Sequence, residues 1–172
     1  MDINELRSSF PEIDPLGFAS VMQSIGGAAL QLQVLEEVAQ TSLVVLQAYA
    51  GKIAPASAAR LLEGYRRRTL GQLVREYEML ELLPGSIAQR LPALVEPRNW
   101  LVHRCLTELR GALATHAGRT QISAKVDAIA DEASKVQSLL ARHVSQFCLE
   151  RGANRDVVMR TAHAEIRARY GV

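Results

Sequence analysis

From Leu16 to Ala50, apolar side chains return at steps of three and four residues. Ile25, Ala28, Ala29, Leu32, Leu35, Val38, Ala39, Ser42, Leu43 and Leu46 share one side of a helical wheel. Asp14-Pro15 joins an N-capping side chain to a proline at the first helical position, and Gly51 can close the helix in left-handed geometry. An interruption is expected at Gly26-Gly27, because paired glycines weaken a helix interior. Pro55 and Ser57 open a short helix through Leu61 and Leu62. Thr69 with Gln72 has capping-box spacing and predicts a helix to about Leu83. Ser86 with Gln89 repeats that spacing and predicts two to three turns ending near Val95, since Pro97 disfavours helical geometry in Glu96. Pro97 then starts a helix to about Thr115, with Gly118 as the break. Thr120 or Ser123 begins a long amphipathic helix through Val126, Ile129, Ala133, Val136, Leu140 and Cys148, which stops at Gly152.

Asn154 caps a last helix from Arg155 to Tyr170, and residues 1–13 are expected to be loosely ordered. No segment alternates as a strand, and no repeat or low-complexity tract interrupts the helical pattern. The expected fold is all-α, one domain over residues 1–172. It is an antiparallel helical bundle with short connections and an appended C-terminal helix over residues 153–172.

Composition agrees with this vocabulary. The 172 residues are 48% hydrophobic and only 5% aromatic, dominated by helix formers. Net charge is +2, so the chain as a whole is no polycation, yet its charge is uneven. Residues 1–50 carry one base against six acids, whereas residues 51–75 carry six bases against one acid. Basic segments of this kind either meet on one face as a footprint for nucleic acid or remain solvated helix faces. Arg supplies 17 of the 20 bases. That suits bidentate phosphate contacts, and a GC-rich genome would produce the same bias. Cys105 and Cys148 sit in apolar helical contexts without metal-ligand spacing and read as buried thiols of a reducing compartment. A signal-peptide pattern is absent and no apolar run is long enough to span a bilayer, so a soluble cytoplasmic protein without cofactor or metal is expected.

Chemistry concentrates in Glu96-Pro97-Arg98-Asn99-Trp100-Leu101-Val102-His103-Arg104-Cys105. On a wheel of about 100° per residue, Leu101, Val102, Cys105, Leu106, Leu109, Ala112 and Leu113 form the expected core face. Asn99, His103 and Arg110 fall within roughly 40° of one another at its edge, and Trp100 points away. The result is a polar seam with a titratable base beside an apolar face.

Arg98-Asn99 followed at position 103 by His resembles the Arg-x4–6-His motif of the HEPN superfamily, on a late helix of an all-α chain of suitable size. The resemblance implies a metal-independent endoribonuclease of toxin–antitoxin, phage-defence or RNA-processing systems. It also implies a homodimer in which two motif helices face each other across one composite site. In that reading His103 is the general base or acid, since imidazole ordinarily titrates near neutrality. Arg98 stabilises charge on the transferring phosphate, and Asn99 holds His103 or the phosphate. RNA is the implied substrate, a cognate antitoxin or other protein a further partner, and no membrane is involved. One departure is Cys105, which stands where nucleotidylated HEPN toxins carry Tyr.

Arg104 and Arg110 flank the motif as expected RNA contacts, and Arg66-Arg67-Arg68 is either a solvated helix start or a backbone-contacting patch. His116, His143 and His163 have no spaced partners and read as solvent or packing residues. A catalytically silent all-α module, binding a protein or nucleotide on the same face, is the alternative from a different class.

Overall fold

The computed structural model describes residues 14–154, without the side chains of Leu106 and Arg110. The expected loose N-terminus and the expected last helix, Arg155 to Tyr170, lie outside the described residues. Those described are all-helical, with no strand among them. Helix α1 spans Pro15–Tyr49; a 3-10 turn, Pro55–Ser57, leads into α2, Ala58–Tyr65. Next come α3 (Leu70–Leu80), α4 (Gly85–Ala93) and α5 (Val95–Asn99). A π-helical turn, Trp100–Arg104, joins α5 to α6 (Cys105–Ala112), and α7 spans His116–Glu150. No helix among these residues is long and apolar enough to cross a membrane.

Local chemistry sets most of the boundaries. The Leu16 N–H donates to Asp14 Oδ1 at 3.1 Å, the expected cap of α1. Gly51 leaves the other end at φ +70°. Thr69 and Gln72 form the reciprocal capping box, with the Thr69 N–H donating to Gln72 Oε1 at 2.9 Å. Gly152, at φ +84°, ends α7.

Four expectations are corrected. Gly26-Gly27 does not interrupt α1, whose 35 residues form one helix. The Ser86 cap is not used: the N–H groups of Ile87 and Ala88 donate to the Pro84 carbonyl, so α4 starts two residues earlier than that cap would set it, at Gly85. Glu96 and Pro97 lie inside α5 rather than at a boundary. Pro97 is third in that helix, where its missing N–H would have had no intrahelical partner. Gly118 is not a break but belongs to the first turn of α7, where its N–H donates to Thr115 Oγ1 at 3.0 Å.

The chain packs as two compact units, each made of two stretches. Among the described residues, one combines those up to Leu35 with Leu91–Lys135; the other combines Glu36–Arg90 with those from Val136 onward. In the second unit Leu43, Leu46, Leu70, Leu73, Tyr77, Ile87, Val136 and Leu140 are buried. Its polar groups are satisfied inside the core. The Tyr77 hydroxyl donates to the Ala39 carbonyl at 2.6 Å, and Gln47 Nε2 donates to the Tyr65 hydroxyl at 2.8 Å. The Leu70 N–H reaches Glu36 Oε1 at 3.3 Å.

In the first unit Val21, Ala28, Leu32, Leu35, Leu91, Leu94, Leu109, Val126, Ile129 and Ala133 form the core with Trp100, Leu101 and Cys105. At its edge Arg119 pairs with Asp14 at 3.3 Å and donates to the Leu113 carbonyl at 2.9 Å, tying the starts of α1 and α7 to the end of the motif helix.

Candidate active site

The motif segment is helical throughout but not uniformly α. Between Trp100 and Arg104 the turn widens, and the Cys105 N–H donates to the Trp100 carbonyl five residues back. Arg104 marks the widening with φ −118°. Such turns accommodate one more residue than an α turn and recur at functional sites. Here the turn begins directly after Asn99 and contains His103.

Its effect on burial is direct. Trp100 and Cys105, five apart, are both buried, as are Leu101 and Leu109. Val102 is 54% exposed. Two expectations are therefore overturned: Trp100 faces the core and Val102 does not. A wheel drawn at a constant 3.6 residues per turn drifts by about one residue across a π turn, which rotates these two positions out of their expected places. Ala112 and Leu113, the far end of the expected core face, are half-buried.

Trp100 is fixed on several sides. Its indole Nε1–H donates to Glu108 Oε2 at 2.7 Å, and Lys125 Nζ lies over the ring at 3.4 Å from its centroid. Lys125 and Glu108 are 3.8 Å apart, closing the cluster. The Cys105 thiol beside it is pushed above its ordinary range by burial first, then by the Glu108 carboxylate.

The predicted catalytic residues lie on the outer side of this helix. Arg98 and Asn99 are half-buried and His103 is exposed. Arg98 Nη1 donates to Asn99 Oδ1 at 3.4 Å, so the amide oxygen faces the guanidinium. For His103 no hydrogen-bond partner is found among the described residues. Arg104 is exposed and ion-paired with Glu96, two turns back. An exposed pair of this kind contributes between zero and about 1 kcal/mol. Arg110 lies in α6, but its side chain is outside the described residues.

The arginine run belongs to the other unit. Arg66 pairs with Glu63 at 3.2 Å on the surface. Arg68 pairs with Glu76 at 2.6 Å and stacks over Tyr65 at 4.9 Å. Arg67 is exposed. Two of the three guanidinia thus have structural employment at the end of α2 and the start of α3. His143 is bonded to the Leu82 carbonyl at 2.9 Å, as a packing histidine would be.

A feature missed in the sequence is an apolar cleft of about 470 Å³ on the Trp100 side of the motif helix. Its walls are Ala93, Leu94, Pro97, Trp100, Ala128 and Ile129, and Glu96, Arg104, Lys125 and Glu132 stand around it. Only the burial of Trp100 could have signalled it, and constant helical periodicity hid that. Among the described residues no cluster of three or more His, Cys, Asp or Glu is placed to hold a metal ion. Comparison with protein-family models, curated proteins and solved structures returns no match to this chain.

Proposed function

We propose that the chain is a metal-independent endoribonuclease of HEPN type, folded as an antiparallel bundle and acting in the cytoplasm as a homodimer, within a toxin–antitoxin or phage-defence system. The observation that supports this reading is the π turn. It presents His103 to solvent on the same helix as the hydrogen-bonded pair Arg98 and Asn99. An exposed base, a permanent cation and an amide on one short segment are the groups that RNA transesterification needs.

His103 removes the proton of a ribose 2′-hydroxyl, whose oxygen attacks the adjacent phosphorus. Arg98 neutralises charge gathering on the non-bridging oxygens. The bond to the 5′-oxygen breaks, and that oxygen takes a proton from a second, protonated ring, the imidazolium of His103 of the partner subunit, which is left neutral. The products are a 2′,3′-cyclic phosphate and a 5′-hydroxyl. Arg104, released from Glu96, holds a flanking phosphate.

The test incubates purified protein with structured RNA in EDTA, beside His103→Ala and Arg98→Ala. Cleavage by the wild type, lost in both variants, is expected. No wild-type cleavage, or equal cleavage by His103→Ala, removes the enzyme reading. One observation favours the alternative of a binding module: the apolar cleft lies beside Trp100, and His103 is not among its lining residues.

A further inference from the structure

The cleft beside Trp100 lies wholly within the first unit, since its lining runs from Ala93 to Glu132. Its floor is apolar and closely packed: Leu94, Trp100 and Ile129 are buried. Ala93 and Ala128, both exposed, are too small to fill the space between them. At about 470 Å³ that space falls in the range of small-molecule sites, roughly 300–1,000 Å³.

The polar groups around the cleft are already spent within the chain. Arg104 is ion-paired with Glu96, Lys125 stands 3.8 Å from Glu108, and Glu132 is engaged as well. The indole N–H of Trp100 is given to Glu108 at 2.7 Å. A charged or strongly hydrogen-bonding ligand would shed its water here and find no partner in return, which is costly. An uncharged apolar ligand has no such loss and gains by leaving water.

The same features argue against a macromolecule. None of the large apolar side chains that are exposed among the described residues lines the cleft. Its apolar surface is therefore confined to the concavity, and charges stand around it. A protein interface instead has an extended apolar core from which charged residues are depleted. Around the cleft Glu96 and Glu132 balance Arg104 and Lys125, which gives a nucleic acid no net attraction.

We propose that this cleft binds a small, uncharged, predominantly apolar molecule, seated on Leu94, Trp100 and Ile129 between Pro97 and Ala128. The site is separate from His103, which does not line it, and the inference does not rest on the nuclease reading. A chain that takes such a ligand and leaves RNA intact keeps this inference and loses the other.

The probe is N-phenylnaphthylamine, an uncharged dye, titrated into the full chain beside its sulfonated analogue, an anion on the same skeleton. Trp100, the single tryptophan, reports on the site. The neutral dye should quench most of its emission by energy transfer and saturate at one molecule per chain. The sulfonate should bind at least tenfold more weakly, because the cations around the cleft are paired. Ala128→Phe fills the cleft and Ala128→Asp places an unpaired charge in it, and each should weaken binding of the neutral dye at least tenfold. Ala128 is exposed, so both variants should melt with wild type. Ala141→Phe, at an exposed position of α7 outside the cleft, should bind like wild type. No saturable quenching in wild type, a sulfonate that binds as tightly as the neutral dye, Ala128 variants that bind like wild type, or an equal loss in Ala141→Phe overturns the inference.

Discussion

Gly118→Ala should destabilise the first unit although it replaces a poor helix former with the best one. A Cβ at Gly118 would stand 2.4 Å from the Ala112 carbonyl oxygen, 2.8 Å from its Cα and 2.9 Å from its carbonyl carbon. All three are backbone atoms, so no rotamer change relieves the clash. Within a helix interior the exchange gains about 0.8–1 kcal/mol of propensity, whereas overpacking costs about 1–3 kcal/mol. Contact with rigid backbone places the cost at the upper end, for a net loss of about 1–2 kcal/mol. In a chain of this size that lowers the melting temperature by roughly 3–6 °C.

Gly111 is the control, for it lies in α6 and its added Cβ would meet nothing within 4 Å. Gly111→Ala should be neutral or stabilising by up to about 1 kcal/mol. The assay is thermal or urea unfolding followed by Trp100, the single tryptophan, which is buried in the same unit. A Gly118→Ala protein as stable as wild type would refute the reasoning.

Tyr77→Phe should cost about 1 kcal/mol in urea unfolding, the net value of one intramolecular hydrogen bond, because its hydroxyl donates to the Ala39 carbonyl inside the core; an unchanged midpoint would show that bond to be worth nothing. Stability should fall above pH 9. Burial raises the Cys105 and Cys148 thiols from their ordinary 9.0 and the Tyr65 and Tyr77 phenols from 10.0. The unfolded chain therefore loses these protons first, and the stability the groups lend is full below the unfolded values and lost as pH rises through and beyond them. A melting temperature flat from pH 8 to 11 would contradict this. Arg104→Ala should change stability by no more than about 0.5 kcal/mol, since its partner Glu96 is also exposed; a loss above about 1 kcal/mol would mean that the pair holds the π turn.

Local signals in the sequence were legible where the cause is local. Asp14-Pro15, Thr69 with Gln72, Gly51 and Gly152 each act through their own backbone neighbours, and each stands where it was expected. Errors arose where tertiary packing decides. Gly118 reads as a breaker because glycine breaks helices in isolation, yet it is required by the nearby Ala112 backbone. Gly26-Gly27 reads as an interruption, but the burial of Val21, Ala28 and Leu32 on either side keeps the helix continuous through it. Ser86 lost its capping role because the helix already begins at Gly85, with the Ile87 and Ala88 N–H groups donating to the Pro84 carbonyl. Of the candidate site, the residue set could be read from Arg98, Asn99 and His103, but their presentation could not. That depends on where the helix widens, and no residue type marks a π turn.

The π turn makes a prediction that a regular helix would not. Deleting one residue from an α-helix rotates everything beyond it by about 100° and turns buried side chains toward water. In α7, deletion of exposed Asp131 would do this to Ala133, Val136 and Leu140, all fully buried, at a cost of several kcal/mol. Val102 is different. It is exposed and occupies the wide turn, and its removal leaves Trp100 four positions from Cys105 and eight from Leu109. Those are α-helical spacings, so the core face survives as an ordinary helix. The deletion should therefore leave stability within about 1 kcal/mol of wild type by Trp100 fluorescence, against unfolding for the Asp131 deletion. His103 would meanwhile move one position closer to Arg98 and swing by about 100° relative to the residues behind it. Under the nuclease reading, RNA cleavage disappears from a chain that is still folded. A Val102 deletion that unfolds like the Asp131 deletion would show that the widened turn is demanded by packing rather than tolerated by it. One that folds and still cleaves RNA would show that the turn does not set the geometry of the site.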